Sequence, residues 1–294
     1  MHTDAPVGIL GLGLIGTAFS ERLIDAKIPV IGFDIDPARC EKLRENRGVV
    51  ATSREVVGQC RAIIIAVYSG EQAEALFSDI ESSPARPVLI CTTTCAPDEI
   101  IRLATRAANA AMPFVEAPIS GTSAEVRDGT ATALVAGQTG VIDAAGWLLD
   151  ILCPHHLRIG EVGDASRAKL AINLILQNNR AALAEGIVLA ERMGLDGPTF
   201  LATARQSAAY SRVMDTKGEK MLSRDFRPQS HLSQTLKDAE LILKEAARQG
   251  LRLPVTTAQA DLLREAIAIL GPDSDSAAIV EAIRHRNVPA EVSR

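Results

Sequence analysis

Five polar residues set into an apolar stretch are the first sign of chemistry in this chain: Ser166, Lys169, Asn173, Gln177 and Arg180. Their three- and four-residue spacing puts them on one face of a helix. Two readings of that face are open. It meets water as an ordinary solvated line, or it lines a cleft where an amine and an amide one turn apart act on a substrate. In the second case Lys169 is the acid/base, because a lysine whose pKa is drawn toward neutrality by burial or positive charge can move a proton. Asn173 then holds a hydroxyl or orients the amine.

A second signal lies at the start of the chain. An apolar strand, Val7–Leu10, runs into Gly11-Leu-Gly13-Leu14-Ile15-Gly16 and then into a helical run. In a GxGxxG turn between strand and helix, the first glycine allows the turn. The second admits a pyrophosphate and the third lets helix and strand pack closely. The next strand, residues 29–33, ends in Asp34, 18 residues after Gly16. A carboxylate there accepts hydrogen bonds from an adenosine ribose and repels a 2′-phosphate, so NAD is the expected cofactor.

The elements that must position these residues follow from the apolar pattern. Residues 164–193 read as one helix about 45 Å long, with Asp164 as N-cap and Gly194 as its stop. Leu170, Ile172, Leu174, Ile175, Leu183, Ile187 and Leu189 cover most of its surface, so other parts of the protein or a partner subunit are expected to bury it. Before it, residues 62–67, 87–91, 114–118 and 130–136 read as strands alternating with helices, among them 141–152. This predicts an α/β fold with a doubly wound sheet of Rossmann type. After it, residues 197–207, 233–249, 254–269 and 275–285 read as helices. The expected organisation is a dinucleotide domain over 1–163, a connecting helix over 164–193 and an all-helical domain over 194–294. A ligand cleft is expected at the carboxyl ends of the strands.

Composition narrows the function. The chain has 294 residues, 47% hydrophobic, with a formal net charge of -5 and 3% aromatics. That gives no basic signal for nucleic acid or an anionic membrane, and few rings on which bases could stack. No run reaches transmembrane length and the first ten residues lack a leader pattern, so a cytoplasmic protein is expected. The five cysteines form no CxxC pair or disulfide-like framework, in keeping with a reducing compartment. Cys153-Pro154-His155-His156 suggests a metal site only superficially. Neighbouring residues of an extended segment point to opposite faces, and no second cluster completes the ligand set, so no metal is expected.

Taken in order, these motifs resemble those of the β-hydroxyacid dehydrogenase family, which includes 3-hydroxyisobutyrate dehydrogenase and, more distantly, 6-phosphogluconate dehydrogenase. The resemblance covers nearly the whole chain. Gly11 to Gly16 resembles the family's opening glycine motif, and Ala117-Pro118-Ile119-Ser120-Gly121-Thr122 its substrate-binding segment. The run from Gly160 to Asn173 resembles the catalytic segment, which implies Lys169 as catalytic lysine and Asn173 as its support. Lys237-Asp238 resembles a pair that approaches the cofactor, and Thr94 stands where the family has a threonine near the nicotinamide. Val67 joins Gly11, Gly13, Leu14, Ile15, Gly16, Asp34, Thr94 and Lys237 in the implied cofactor set. Ser120, Gly121 and Thr122 form the implied substrate set.

The chain departs from the pattern at Thr122 for a glycine, at Ile172 for an asparagine, at Cys91 for an aspartate and at Glu116 for another. The expected activity is hydride transfer between a small β-hydroxyacid and NAD. The extra hydroxyl of Thr122 suggests a polyhydroxy acid. Imine reduction and a non-catalytic dinucleotide-binding module are the competing functions. Relatives of both kinds usually lack the lysine found here at Lys169. The resemblance also implies a homo-oligomer, dimer or tetramer.

Overall fold

Apolar runs of four residues, punctuated by turns, build the first half of the chain. A computed structural model describes residues 5–287. The outer ends of the two terminal spans expected from sequence, residues 1–4 and 288–294, lie outside the described residues. In order come β1 (Val7–Leu10), α1 (Leu14–Asp25), β2 (Val30–Phe33), α2 (Pro37–Glu45), β3 (Val49–Val50), α3 (Ser53–Gln59), β4 (Ala62–Ile65) and α4 (Gly70–Ser82). Then follow β5 (Val88–Cys91), α5 (Pro97–Asn109), β6 (Phe114–Glu116), β7 (Ile119–Ser120), α6 (Ser123–Arg127), β8 (Thr132–Ala136), α7 (Thr139–Leu152) and β9 (His155–Gly160). The long α8 (Asp164–Arg192) leads to α9 (Gly197–Arg205), α10 (Arg212–Ser223), α11 (Leu232–Arg248), α12 (Pro254–Leu270), a short 3₁₀ turn (Ser276–Ala278) and α13 (Ile279–Arg286). The chain divides into two compact units, residues 1–169 and 170–294, with the boundary inside α8.

The first unit is a nine-stranded sheet in the order β3-β2-β1-β4-β5-β6-β8-β7, with β9 on the outer side of β8. Strands β3 to β6 along that order pair in parallel. The chain winds outward from β1 to β3, then crosses back to β4, and that reversal beside β1 is where such sheets bind dinucleotides. Every residue of β1 and β4 is buried, as helices on both faces require. Alternation splits the strands between two cores. Ile9 and Ile64 join Phe19 and Leu148 on one side, and Leu10, Ile63 and Ile65 join Phe77 and Leu103 on the other.

Two elements differ from the sequence reading. His155–Gly160 is a strand, parallel to β8 and largely exposed. An edge strand with polar residues on both faces carries no apolar run to announce it. Among the described residues the second unit is helical, but α10 stands between the first two helices expected there. Gly218 in its middle reads as a breaker. A Cβ at that position would lie 2.7 Å from both Leu201 methyls, so the glycine serves the close packing of α9 on α10. Leu201, Met221, Leu232, Leu263 and Ile279 form the heart of this unit's core. No helix among the described residues is long and apolar enough to cross a membrane.

Candidate active site

The glycine loop after β1 is shaped by sterics at two of its three glycines. Gly11 has φ +99°, and a Cβ on it would lie 2.5 Å from the Ala66 carbonyl oxygen. A Cβ on Gly16 would lie 1.9 Å from the Gly11 carbonyl oxygen, so α1 can start this close to the strand only without a side chain. At Gly13 a Cβ would meet nothing within 4 Å. The protein itself does not require that glycine; open space in front of the loop does. Gly13 caps α1, no side chain bonds to that cap, and no acidic residue lies in the first turn. The first amides of α1, at Leu14, Ile15 and Gly16, thus face that space as a ready anion cradle. These residues fit a dinucleotide pyrophosphate.

Asp34, Val67 and Thr94, also expected around a cofactor, stand at the same, carboxyl end of the parallel strands. Asp34 follows β2. Its Oδ2 accepts the Leu12 N–H at 2.6 Å and its Oδ1 accepts the Asp36 N–H at 2.9 Å, which fixes the carboxylate beside the glycine loop. Oδ1 retains a lone pair for a ribose hydroxyl, and Oδ2 gains one when Arg39 moves away. Arg39 Nη1 lies 3.4 Å from Asp34 Oδ2, on a half-exposed side chain. Val67 follows β4, and its N–H donates to Thr93 Oγ1 at 3.1 Å, tying the exits of β4 and β5 together. Thr94 is the next residue along.

Glu116, at the carboxyl end of β6, holds the start of α8. It is buried, its Oε2 accepts the Gly163 N–H at 2.6 Å and its Oε1 the Ser166 N–H at 2.5 Å. This corrects the expectation of Asp164 as N-cap. Asp164 is the first helical residue and turns back to the Glu161 N–H, while a carboxylate remote in sequence receives the helix amides. Burial pushes the Glu116 carboxyl above its usual range, against the downward pull of its bonds from Ser166 and Gly163. Lys169 lies about one turn beyond Ser166 and closes the first unit. Its helix is thereby anchored to the strand ends that carry the glycine loop.

The polar line is not a solvated face. Ser166, Lys169, Asn173, Gln177 and Arg180 are each at most 6% exposed. The exposed side of α8 instead carries apolar residues, with Ile175 and Leu189 59% and 61% exposed and Ile172 and Ala182 exposed as well, interspersed with Asn179 and Glu185. In the second unit, Asn173 Nδ2 donates to Asp238 Oδ2 at 3.0 Å. Lys237 Nζ lies 2.9 Å from Asp238 Oδ1, so the expected Lys237-Asp238 pair is an ion pair as well as a sequence pair. Sequence reasoning missed Asp238 as the partner of Asn173; the lysine beside it drew the attention.

The expected substrate loop is only partly free. Ser120 ends β7 and Gly121 is exposed. Thr122, however, is the N-cap of α6. Its Oγ1 accepts the Glu125 N–H at 3.2 Å, and its own N–H donates to Glu125 Oε2 at 2.8 Å. The T-x-x-E spacing of a capping box was legible in the sequence and gives this threonine a structural role, which uses its hydroxyl oxygen as acceptor and not its O–H as donor. His231 caps α11 and bonds through Nδ1 to the Asp273 carbonyl at 2.8 Å.

Comparison with known proteins bears on both units. Residues 6–160 match the family profile described as the NAD binding domain of 6-phosphogluconate dehydrogenase. Residues 163–283 match that described as NAD-binding of NADP-dependent 3-hydroxyisobutyrate dehydrogenase. The chain is 26% identical over 283 residues to glyoxylate/succinic semialdehyde reductase 1 of Arabidopsis thaliana, covering 95% of this chain and 98% of that protein. It is 27% identical over 281 residues to 2-hydroxy-3-oxopropionate reductase of Escherichia coli strain K12, covering 94% and 96%. Among solved structures, 3-hydroxyisobutyrate dehydrogenase of Mycobacterium tuberculosis shares the fold with a TM-score of 0.83 at 23% identity, over 96% of this chain and 100% of that one.

Proposed function

Because this chain belongs to the β-hydroxyacid dehydrogenase family, we propose that it transfers a hydride between a small β-hydroxyacid and a nicotinamide cofactor, with NAD preferred. The observation that carries this reading is Lys169. It is a buried lysine, one turn past the part of α8 that Glu116 fastens to the carboxyl end of the sheet. When bound, the dinucleotide supplies the hydride acceptor. The protein's residues do the rest. The Gly11–Gly16 loop and the first amides of α1 hold the pyrophosphate, and Asp34 takes the ribose hydroxyls. Val67, Thr94 and Lys237 complete the cofactor contacts. Ser120 and Gly121, with Thr122 beside them, hold the substrate carboxylate. Lys169 accepts the hydroxyl proton during oxidation and returns it during reduction. Asn173, oriented by Asp238, holds the hydroxyl in line.

The substrate panel that tests this includes 3-hydroxyisobutyrate, glycerate and threonate in oxidation. In reduction it includes the compounds named for the relatives: glyoxylate, succinic semialdehyde and 2-hydroxy-3-oxopropionate. Absorbance of the reduced nicotinamide is expected to change with at least one of them. Tight cofactor binding without turnover of any acid would instead support the dinucleotide-binding module.

The preference for NAD rests on Asp34. Its carboxylate is held in place by two backbone amides, so it cannot swing aside for a 2′-phosphate, and the next residue, Ile35, offers no charge. Arg39 is the one group nearby that favours the phosphate, and it is already engaged by Asp34 and Asp36. The expected ratio of kcat/KM for NAD over NADP is about 10-fold or more, on the scale of one unfavourable charge contact. Equal or better use of NADP would contradict the role given to Asp34.

A homo-oligomer, dimer or tetramer, in a cytoplasmic setting completes the reading. Ile175, Ala182 and Leu189 recur every seven residues along α8 and are exposed, the pattern of a helix seam that meets a partner. Light scattering at micromolar concentration is expected to give at least twice the mass of 31.2 kDa. A monomeric mass would count against it.

A further inference from the structure

The second unit contains a buried cation that no neighbouring carboxylate meets. Arg180 is 6% exposed, and its Nε and Nη1 atoms are sealed from solvent without a hydrogen-bond acceptor among the described residues. Two carboxylates lie close enough to act on its charge, Asp275 and Asp238, and burial still draws its pKa down to about 10. Both are matched elsewhere. Asp275 takes Lys217 Nζ on its two oxygens at 2.7 and 2.9 Å, together with the N–H groups of Gln229 and Ala277. Asp238 takes the Asn173 amide on Oδ2, while its Oδ1 is paired by charge with Lys237 Nζ at 2.9 Å but receives no hydrogen bond.

The unmatched atoms continue along the same face of α8. Asn173 Oδ1 and Gln177 Oε1 are also buried without a donor. Arg180 stands on the same face of the helix, one turn past Gln177 and two turns past Asn173, with its charge felt by Asp275, Asp238 and Lys217. Asn173 and Arg180 are about 10 Å apart along the axis. The three side chains thus present, in order, an acceptor, an acceptor and a cationic fork. Native proteins rarely leave buried polar atoms unpaired, and an unpaired buried charge is the costliest case.

We propose that Arg180 and Gln177 form a second substrate subsite, which receives an anionic group at the end of the substrate remote from the reacting carbon. A guanidinium matches two oxygens of a carboxylate or phosphonate at once. The carbonyl oxygen of Gln177 accepts from a hydroxyl on the carbons between. This deepens the proposed function and rests on it: the β-hydroxyacid is then one that carries a second acidic group. A subsite of this kind selects by charge and length.

The test compares paired substrates on the purified full-length protein with its cofactor. 3-Hydroxyisobutyrate carries one acid, 2-(hydroxymethyl)succinate a distal carboxylate and 3-hydroxy-2-(phosphonomethyl)propanoate a distal phosphonate. The expected result is a kcat/KM about 100-fold or more higher for a two-acid substrate, the scale of a buried charge-assisted contact. The two diacids separate carboxylate from phosphonate. Arg180→Met is expected to collapse that ratio toward one, chiefly through KM, and Arg180→Lys to restore it in part. A ratio near one in the native protein, or an equal loss on all substrates in the variant, would overturn the subsite. If no hydroxyacid is turned over, the proposed reaction fails on its own. The subsite is then read by thermal stabilisation of the native protein with succinate against propionate. Preferential stabilisation by succinate, lost in Arg180→Met and kept in part in Arg180→Lys, supports it, and equal effects of the two acids overturn it.

Discussion

Lys169→Ala should lower kcat about 10²–10⁴-fold, the usual worth of a positioned acid/base, while the affinity for the cofactor stays near that of the native protein. The separation follows from where the residue sits. The glycine loop and Asp34 are complete without it, and its own place on α8 is set by Glu116 gripping the helix start. Loss of the amine therefore removes a proton acceptor and leaves the cofactor groups intact. Lys169→Arg should not restore turnover, because a guanidinium keeps its proton. In the native protein, oxidation should quicken as pH rises, since only the neutral amine accepts a proton. Steady-state rates, with cofactor affinity from fluorescence titration, check each part. Near-native turnover by a folded Lys169→Ala protein would sink the mechanism.

Gly13→Val is expected to weaken cofactor binding about 100-fold or more, close to 3 kcal/mol, with little change in melting temperature. The contrast with its neighbours makes the prediction sharp. A side chain at Gly16 collides with the Gly11 backbone and one at Gly11 with Ala66, so substitutions there disturb the fold itself. At Gly13 there is nothing of the protein to collide with, and its φ of -65° suits any residue. Only a ligand drawn close to the loop would meet the new methyls. Isothermal titration with NAD, beside a thermal melt of each variant, gives the answer. Unchanged affinity in Gly13→Val would mean that the loop is a structural turn.

How far these features could be read from the chain depended on what kind of force placed them. The glycine loop and the strands were legible because their causes are local: steric demand at Gly11 and Gly16, and four-residue apolar runs such as Ala62–Ile65 buried on both faces. Helix α8 was legible for the same reason. Its polar line was not, because an i, i+3, i+4 pattern of polar residues looks alike on a solvated face and in a buried site. Burial is a property of the fold around it. Glu116 as the cap of α8 was out of reach, since the pairing spans 50 residues to Ser166. The capping role of Thr122 was within reach, through the glutamate three residues on. Helix α10 was not among the expected helices, and the contact of its Gly218 with Leu201 is one that only packing reveals.

Hydride transfer from a β-hydroxyacid, with Lys169 taking the proton, is the centre of the account. Its most direct test is the isotope content of the reduced nicotinamide formed from a substrate deuterated at the carbinol carbon. With the hydroxyacid that turns over fastest, mass spectrometry should find one deuterium in the reduced cofactor, and Lys169→Ala should form the same product far more slowly. Reduced cofactor without deuterium, or no reduced cofactor from any hydroxyacid, would contradict it.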